Sequence, residues 1–516
     1  MDHSIGEWHK FIKGEIMQEK LEQLKTLLHE IHDLGAASAV LEWDQQVNMP
    51  RGAAEDRGEQ SATLSQIVHT KSTSDELGKL LEELSEYAKT LDKDSDDARL
   101  IKVAKRRYDK NTKVNGKWVS AFAKETAVAQ SNWEEARATD DFELFRPHLE
   151  KLVALRQEYA EFFKPYEHVY DPLLDDFEPG MKTSEVQQIF SDLKKEQVEL
   201  IHQLSQQPQV NNSFLFLEYD GDGQIEFGKK VITDFGYDWN HGRQDISVHP
   251  FTTSFGLNDV RITTKIVPDF LSPCLFGTFH ECGHALYEQG IAKKYNRTPI
   301  ADGASMAIHE SQSRMWENLI GRSKPFWKRY YKDLQAIFPS QLGNVDLETF
   351  YKGINKVEPS LIRIEADEAT YNLHIMLRLE MEIGLMEGSI TAKDAAEVWK
   401  EKFKAYLGIT PPNDKEGVLQ DVHWSSGLFG YFPTYALGNL VSAQLWEKML
   451  QDNPAAPQQV EAGDFSKILG WYREHIHQYG AKFEPQELVQ KVSGQKINAA
   501  PFMRYLKSKF GEVYGL

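Results

Sequence analysis

Residues 280–284 read His280-Glu281-Cys282-Gly283-His284, two imidazoles four positions apart with a carboxylate beside the first. In a helix that spacing puts both rings on one face about 6 Å apart, near enough to reach one cation. Glu281, one residue on, can approach a water held by that cation without becoming a ligand. The chemistry implied is hydrolysis. The cation polarises an acyl carbonyl and lowers the pKa of a water toward ~7, and Glu281 takes the water's proton and returns it to the leaving group. The five-residue pattern alone is weak evidence: with 17 histidines in 516 residues it arises by chance in roughly one chain in twenty.

A third ligand strengthens the reading, since catalytic zinc commonly takes two His and one carboxylate with an open fourth position. Continuation to a third His is excluded, because Tyr287 stands where that motif needs Gly and Gly290 where it needs His. The segment Met306 to Asn318 reads as a helix and offers Glu310 and Glu317, two turns apart on one face. Either could coordinate. His309 and Gln312 flank Glu310 and could orient it. Cys282 points away from the histidine face, so it and Cys274 are expected to be small buried packing residues and not thiolate ligands.

The elements that must position these groups are mainly helical. Leu21, Leu24, Leu27, Leu28 and Ile31 form one apolar stripe of period 3.6, and Leu149, Leu152, Leu155 and Tyr159 another. The run Lys105 to Arg107 is expected to be solvated helix surface. Between about Asn211 and Pro268 the texture changes. Val248 to Phe255, the turn Gly256-Leu257-Asn258-Asp259, and Val260 to Ile266 predict strand, turn, strand, hence a small antiparallel sheet beside the site. Helical period returns at Leu271 and runs almost to Leu516, broken around Thr410 to Asp414 and at Gly427 and Gly430. No Ser/Gly/Pro linker divides the chain. The prediction is a mostly α, single catalytic body over residues 1–516, with an N-terminal helical portion over roughly residues 1–170.

Bulk properties remove several other functions. A net charge of -19 argues against a surface for nucleic-acid phosphates. With only Cys274 and Cys282 there is no disulfide framework, which favours a reducing compartment. Residues Met1 to Trp8 lack the apolar stretch of a leader, and no segment approaches ~18 apolar residues. A cytoplasmic protein without a membrane anchor is expected.

Five further segments, taken with the 280–284 motif, resemble the carboxypeptidase Taq family of metallocarboxypeptidases. They are His249-Pro250-Phe251, Asp259-Val260-Arg261-Ile262-Thr263, His309-Glu310-Ser311-Gln312, Ile362-Arg363-Ile364-Glu365-Ala366-Asp367 and Gly417-Val418-Leu419-Gln420-Asp421-Val422-His423-Trp424. All lie in the family's order. The resemblance implies a helical body with a deep groove, similar to neurolysin and angiotensin-converting enzymes, a homodimer, and release of C-terminal amino acids from peptides. It also implies that Glu310 supplies the third metal ligand beside His280 and His284. That donor set suits zinc and also accepts cobalt or manganese.

Within that reading, His423 and Tyr431 resemble the His and Tyr pair that donates to the oxyanion in the similar peptidyl-dipeptidase site, with Tyr435 the alternative phenol. An exopeptidase must also bind the substrate's free carboxylate, for which a guanidinium is the best donor. Arg363 is the first candidate and Arg261 the second. Ion pairing of Arg363 with Glu365 or Asp367 is the competing structural role. His249 is expected to line the pocket from a strand edge, since Pro250 cannot donate to a central ladder. Two other functions compete. An oligopeptidase or endopeptidase would use the same metal without a carboxylate anchor, and a helical binding protein would carry a vestigial site, which the carboxylate of Glu281 argues against.

Overall fold

The leucines that recur at helical spacing early in the chain meet one another. The computed structural model describes residues 2–516, with side chains from residue 14, so the side chains on which the leader reading of residues 1–8 rests lie outside those described. Leu21, Leu24 and Leu28 of the helix Asp2–Val47 pack against Leu77, Leu80, Leu81 and Leu84 of the helix Asp75–Ala88, and against Leu100 and Ile101 of the helix Asp96–Lys113. Ser74 and Ser95 start the latter two helices, each accepting a backbone N–H from three residues on. Leu257, Ile291, Tyr295 and Ile300 complete this small core, so the N-terminal helices dock beside the end of the motif helix.

A second, much larger core holds Leu149, Leu152 and Tyr159 of the helix Phe142–Glu161 and extends to Val513 near the C-terminus. The cations at 105–107 do more than face water, because Arg106 pairs with Asp175 and Arg107 with Asp302, tying their helix to the body. No described helix is long and apolar enough to cross a membrane.

The sheet has three strands, β1 (Gln244–Ile246), β2 (Thr252–Ser254) and β3 (Val260–Thr264), in the order β1-β3-β2. β2 and β3 are the predicted antiparallel pair, with Thr253 opposite Arg261. β1 adds a parallel neighbour, Asp245 opposite Thr263, so the sheet is mixed. β1 carries only three residues and no alternation for a period of two to reveal. β2 begins two residues after Pro250, which leaves His249 in the loop between β1 and β2.

The motif helix, Leu271–Gly290, lies against β3, where the hydroxyls of Thr264 and Thr278 meet at 2.9 Å. Next to it lies the glutamate helix, Met306–Arg314, which runs on as a π-helical turn over Met315–Ile320. Its first free N–H groups are all satisfied: Met306 donates to the Phe177 carbonyl, Ala307 to Glu178, and Ile308 to the Ser305 hydroxyl. Two glycines permit the close packing. A Cβ on Gly283 would stand 2.6 Å from Ser313 Cα, and one on Gly438, in the helix Pro433–Asp452, 2.6 Å from Glu310 Cγ. The Gly of the 280–284 motif is therefore what lets the motif helix and the glutamate helix touch.

Candidate metal centre

His280 and His284 project from the motif helix toward the glutamate helix, and each Nε2 lies 3.5 Å from Glu310 Oε2. The three donor atoms fall within 4.8 Å of one another. Two ligands about 2.1 Å from one tetrahedral ion stand about 3.4 Å apart, so the set fits a small divalent cation. The outer polar atoms are also held. His280 Nδ1 is 2.8 Å from Glu317 Oε2, His284 Nδ1 is 2.6 Å from His309 Nδ1, and Glu310 Oε1 accepts from Arg314 Nε at 2.7 Å. Glu317, left open as a ligand on spacing alone, reaches the outer nitrogen of His280 and not the inner face. Glu317 lies in the π-helical turn Met315–Ile320, a local widening common at functional sites.

Charge is arranged to keep Glu310 ionised. Burial alone would raise its pKa, but the Arg314 guanidinium and the two imidazoles hold it well below the usual carboxylate range. Glu317 falls to about 2 against its own burial, through Arg314 and His280. The two histidines diverge. Burial would lower His280, yet Glu310 and Glu317 carry it up to about 9, whereas burial, with His309 and His280 nearby, takes His284 down to about 3. The difference follows from their outer partners, a carboxylate in one case and an imidazole in the other.

Glu281 is buried, and its Oε2 accepts a hydrogen bond from Thr252 Oγ1 of β2 at 2.7 Å. Burial raises its pKa. A strand thus fixes the carboxylate that a helix carries.

His423, Tyr431 and Tyr435 come together as one group. His423 Nε2 lies 3.3 Å from the Tyr435 hydroxyl, and the His423 and Tyr431 rings are 5.6 Å apart. Burial lowers the His423 pKa to about 4, so its ring is neutral at pH 7. Tyr431 rises to about 12 through burial and the charge of Glu310. The loop bearing these groups is pinned by buried Glu382, which accepts from Trp424 Nε1 and the Gly430 N–H, both at 2.9 Å.

Arg363 is 6% exposed and packs against the Tyr435 ring, its Nη1 donating to the Tyr371 hydroxyl at 3.0 Å. Its ionic partner is Asp421, at 2.9 Å, and not Glu365 or Asp367. Fully buried Arg378 shares that carboxylate, its Nε donating to Oδ2 at 2.6 Å. Two guanidinium groups against one carboxylate leave one buried positive charge in excess. Arg261, by contrast, is paired through two 2.8 Å bonds to Asp259 and stacks on Trp43 and Phe255. His249 is exposed in its loop. Among the described residues, neither His249 nor Arg261 hydrogen-bonds to His280, His284 or Glu310.

Sequence reasoning missed Arg314, Arg378, Tyr371 and Thr252. Arg314 carried a legible signal, standing four residues after Glu310 and three before Glu317. The other three meet their partners only through the tertiary fold.

The family profile of carboxypeptidase Taq (M32) metallopeptidases matches residues 23–510. The chain belongs to the carboxypeptidase Taq family. It is 40% identical over 492 residues to thermostable carboxypeptidase 1 of Thermus thermophilus, covering 93% of this chain and 96% of that one. Carboxypeptidase 1 of Bacillus subtilis is 38% identical over 489 residues, covering 95% and 97%. Among solved structures of the family, the M32 carboxypeptidase of Deinococcus radiodurans superposes with a TM-score of 0.94 at 38% identity, covering 96% of this chain and all of that one.

Proposed function

We propose that this chain, a metal-dependent carboxypeptidase, holds its cation through His280, His284 and Glu310 and cleaves with Glu281 as general base. The observation that carries the reading is the convergence of both Nε2 atoms on one Glu310 oxygen, with Glu281 beside them. A divalent cation bound there supplies Lewis acidity at the scissile carbonyl and acidifies a water. Zinc suits the two-nitrogen, one-carboxylate set, and cobalt or manganese would also be accepted.

Glu281, fixed by Thr252, takes the proton of the attacking water and delivers it to the departing amine. Its buried setting raises its basicity toward the working pH. Tyr431, and His423 as a neutral N–H donor, stabilise the oxyanion as charge develops on it. The donating nitrogen is Nε2, which lies 3.3 Å from the Tyr435 hydroxyl, since Nδ1 is buried. The excess positive charge at Arg363, Arg378 and Asp421 receives the substrate's terminal carboxylate, with Arg363 as the contacting group. Arg261 and His249 are kept as peripheral substrate contacts. The same reading takes residues 1–516 as one catalytic unit, a homodimer by family resemblance, and a cytoplasmic protein by its sparse cysteines.

The test is a mixture of peptides differing only in a free or amidated C-terminus, followed by mass spectrometry. Stepwise loss of single residues from the free acids, with the amides cut far more slowly, is expected. Equal cleavage of both would replace carboxypeptidase action with the endopeptidase reading.

A further inference from the structure

We infer that His309 and Glu288 are positioning residues that fix the tautomer of His284 and thereby its grip on the cation, an inference that rests on the ligand reading above. Glu288 stands one helical turn beyond His284 on the motif helix, and His309 immediately precedes Glu310 on the glutamate helix. Glu288 Oε1 is 2.7 Å from His309 Nε2, and His309 Nδ1 is 2.6 Å from His284 Nδ1. The line therefore runs from a carboxylate through one imidazole to a second, whose far nitrogen faces Glu310.

With both rings neutral, only one arrangement of hydrogens satisfies every link. The Glu288 carboxylate oxygen accepts, so the hydrogen between Glu288 and His309 sits on His309 Nε2. The neutral ring then carries its lone pair on Nδ1. The 2.6 Å contact between the two Nδ1 atoms needs one hydrogen, and it must come from His284 Nδ1. His284 is left with its lone pair on Nε2, directed at the position between itself and Glu310. The reverse tautomers would set two lone pairs against each other at Glu288 and put a hydrogen on the ligand atom of His284, abolishing coordination.

The surroundings hold this line in place. Glu288 is buried and its Oε2 accepts from Ser254 Oγ of β2 at 3.3 Å. The His309 ring lies 5.1 Å from the Tyr287 ring, and a Cβ on Gly303 would stand 2.7 Å from His309 Cδ2, so the ring occupies a slot fitted to it. His280 differs in that a carboxylate, Glu317, touches it directly. The two histidine ligands are thus oriented by unlike devices, an anion on one and a relayed anion on the other.

The first test uses the wild-type protein loaded with zinc and labelled with ¹⁵N at histidine. His284 should show its hydrogen on Nδ1, and His309 its hydrogen on Nε2 with Nδ1 bare. A hydrogen on His309 Nδ1 would overturn the inference. In the second, zinc affinity is measured by chelator competition. His309→Phe, which fills the slot but cannot accept, should weaken binding about 10- to 100-fold, and Glu288→Gln, whose amide oxygen can still accept, should do less harm. Wild-type affinity in His309→Phe would overturn the inference if His284→Ala loses the metal. If His284→Ala binds zinc normally, the ligand assignment itself falls, and the inference with it.

Discussion

Gly438 offers a way to move Glu310, the proposed carboxylate ligand, without touching its chemistry. A methyl group there would stand 2.6 Å from Glu310 Cγ and 2.7 Å from its Cβ. Carbon atoms in packed interiors meet at about 3.5–4.0 Å, so Gly438→Ala must separate the two by roughly 1 Å. The glutamate helix has little room to retreat, because Gly283 presses on it from another side, where its own added Cβ would lie 2.7 Å from the Gln312 carbonyl oxygen. The displacement therefore falls on the Glu310 side chain or on the helix Pro433–Asp452. Overpacking of this kind costs about 1–3 kcal/mol. Moving Glu310 Oε2 out of its paired 3.5 Å separations should weaken zinc binding about 10- to 100-fold, the scale seen when groups supporting a ligand are lost. Gly470 is the control, a helical glycine with open space around its Cβ position. Gly470→Ala should stabilise by up to about 1 kcal/mol and leave zinc affinity unchanged. Chelator competition on both variants reads the difference. Equal zinc affinity in the two would refute the close-packing argument.

Two other perturbations probe groups away from the ligands. Burial raises the Glu178 pKa from its ordinary 4.5 to about 8, so the folded state holds a proton that the unfolded state releases. Stability should therefore fall as pH rises from 4.5 toward 8, by about 3 kcal/mol between pH 4.5 and 7. Glu178→Gln should remove that slope, and a stability difference from wild type that stays constant between pH 5 and 8 in denaturant unfolding would contradict it. Arg363→Met should lower kcat/KM on free-acid peptides about 100- to 1000-fold, the scale of an unpaired buried charge, and change residual cleavage of amidated peptides little. The fold should survive because Arg378 still pairs with Asp421. Discrimination that persists in the variant would move the anchor elsewhere, to Arg261 first.

The parts of the site that sequence revealed are those set by local periodicity. A four-residue spacing fixes which helical face His280 and His284 share, whatever the rest of the chain does. The choice between Glu310 and Glu317 needed more, because both lie on one face, and only the approach angle of the two helices separates an inner from an outer contact. That approach depends on Gly283, and the seating of Glu310 on Gly438, two residues that read as ordinary until their neighbours are seen. β1 was illegible because three residues paired in parallel carry no alternation. Asp421 as the partner of Arg363 was hidden for a related reason: carboxylates two and four positions away were nearer in sequence, and the pairing depends on how two distant loops meet.

The most direct test of the central assignment is the metal content and turnover of Glu281→Gln, measured on the same preparation. Glu281 makes no ligand contact in this account, so the variant should bind one equivalent of divalent metal as wild type does. It should also release C-terminal residues several orders of magnitude more slowly, since the water has lost its base. Full metal content with near wild-type turnover would remove Glu281 from the chemistry, and loss of the metal would make it a ligand instead.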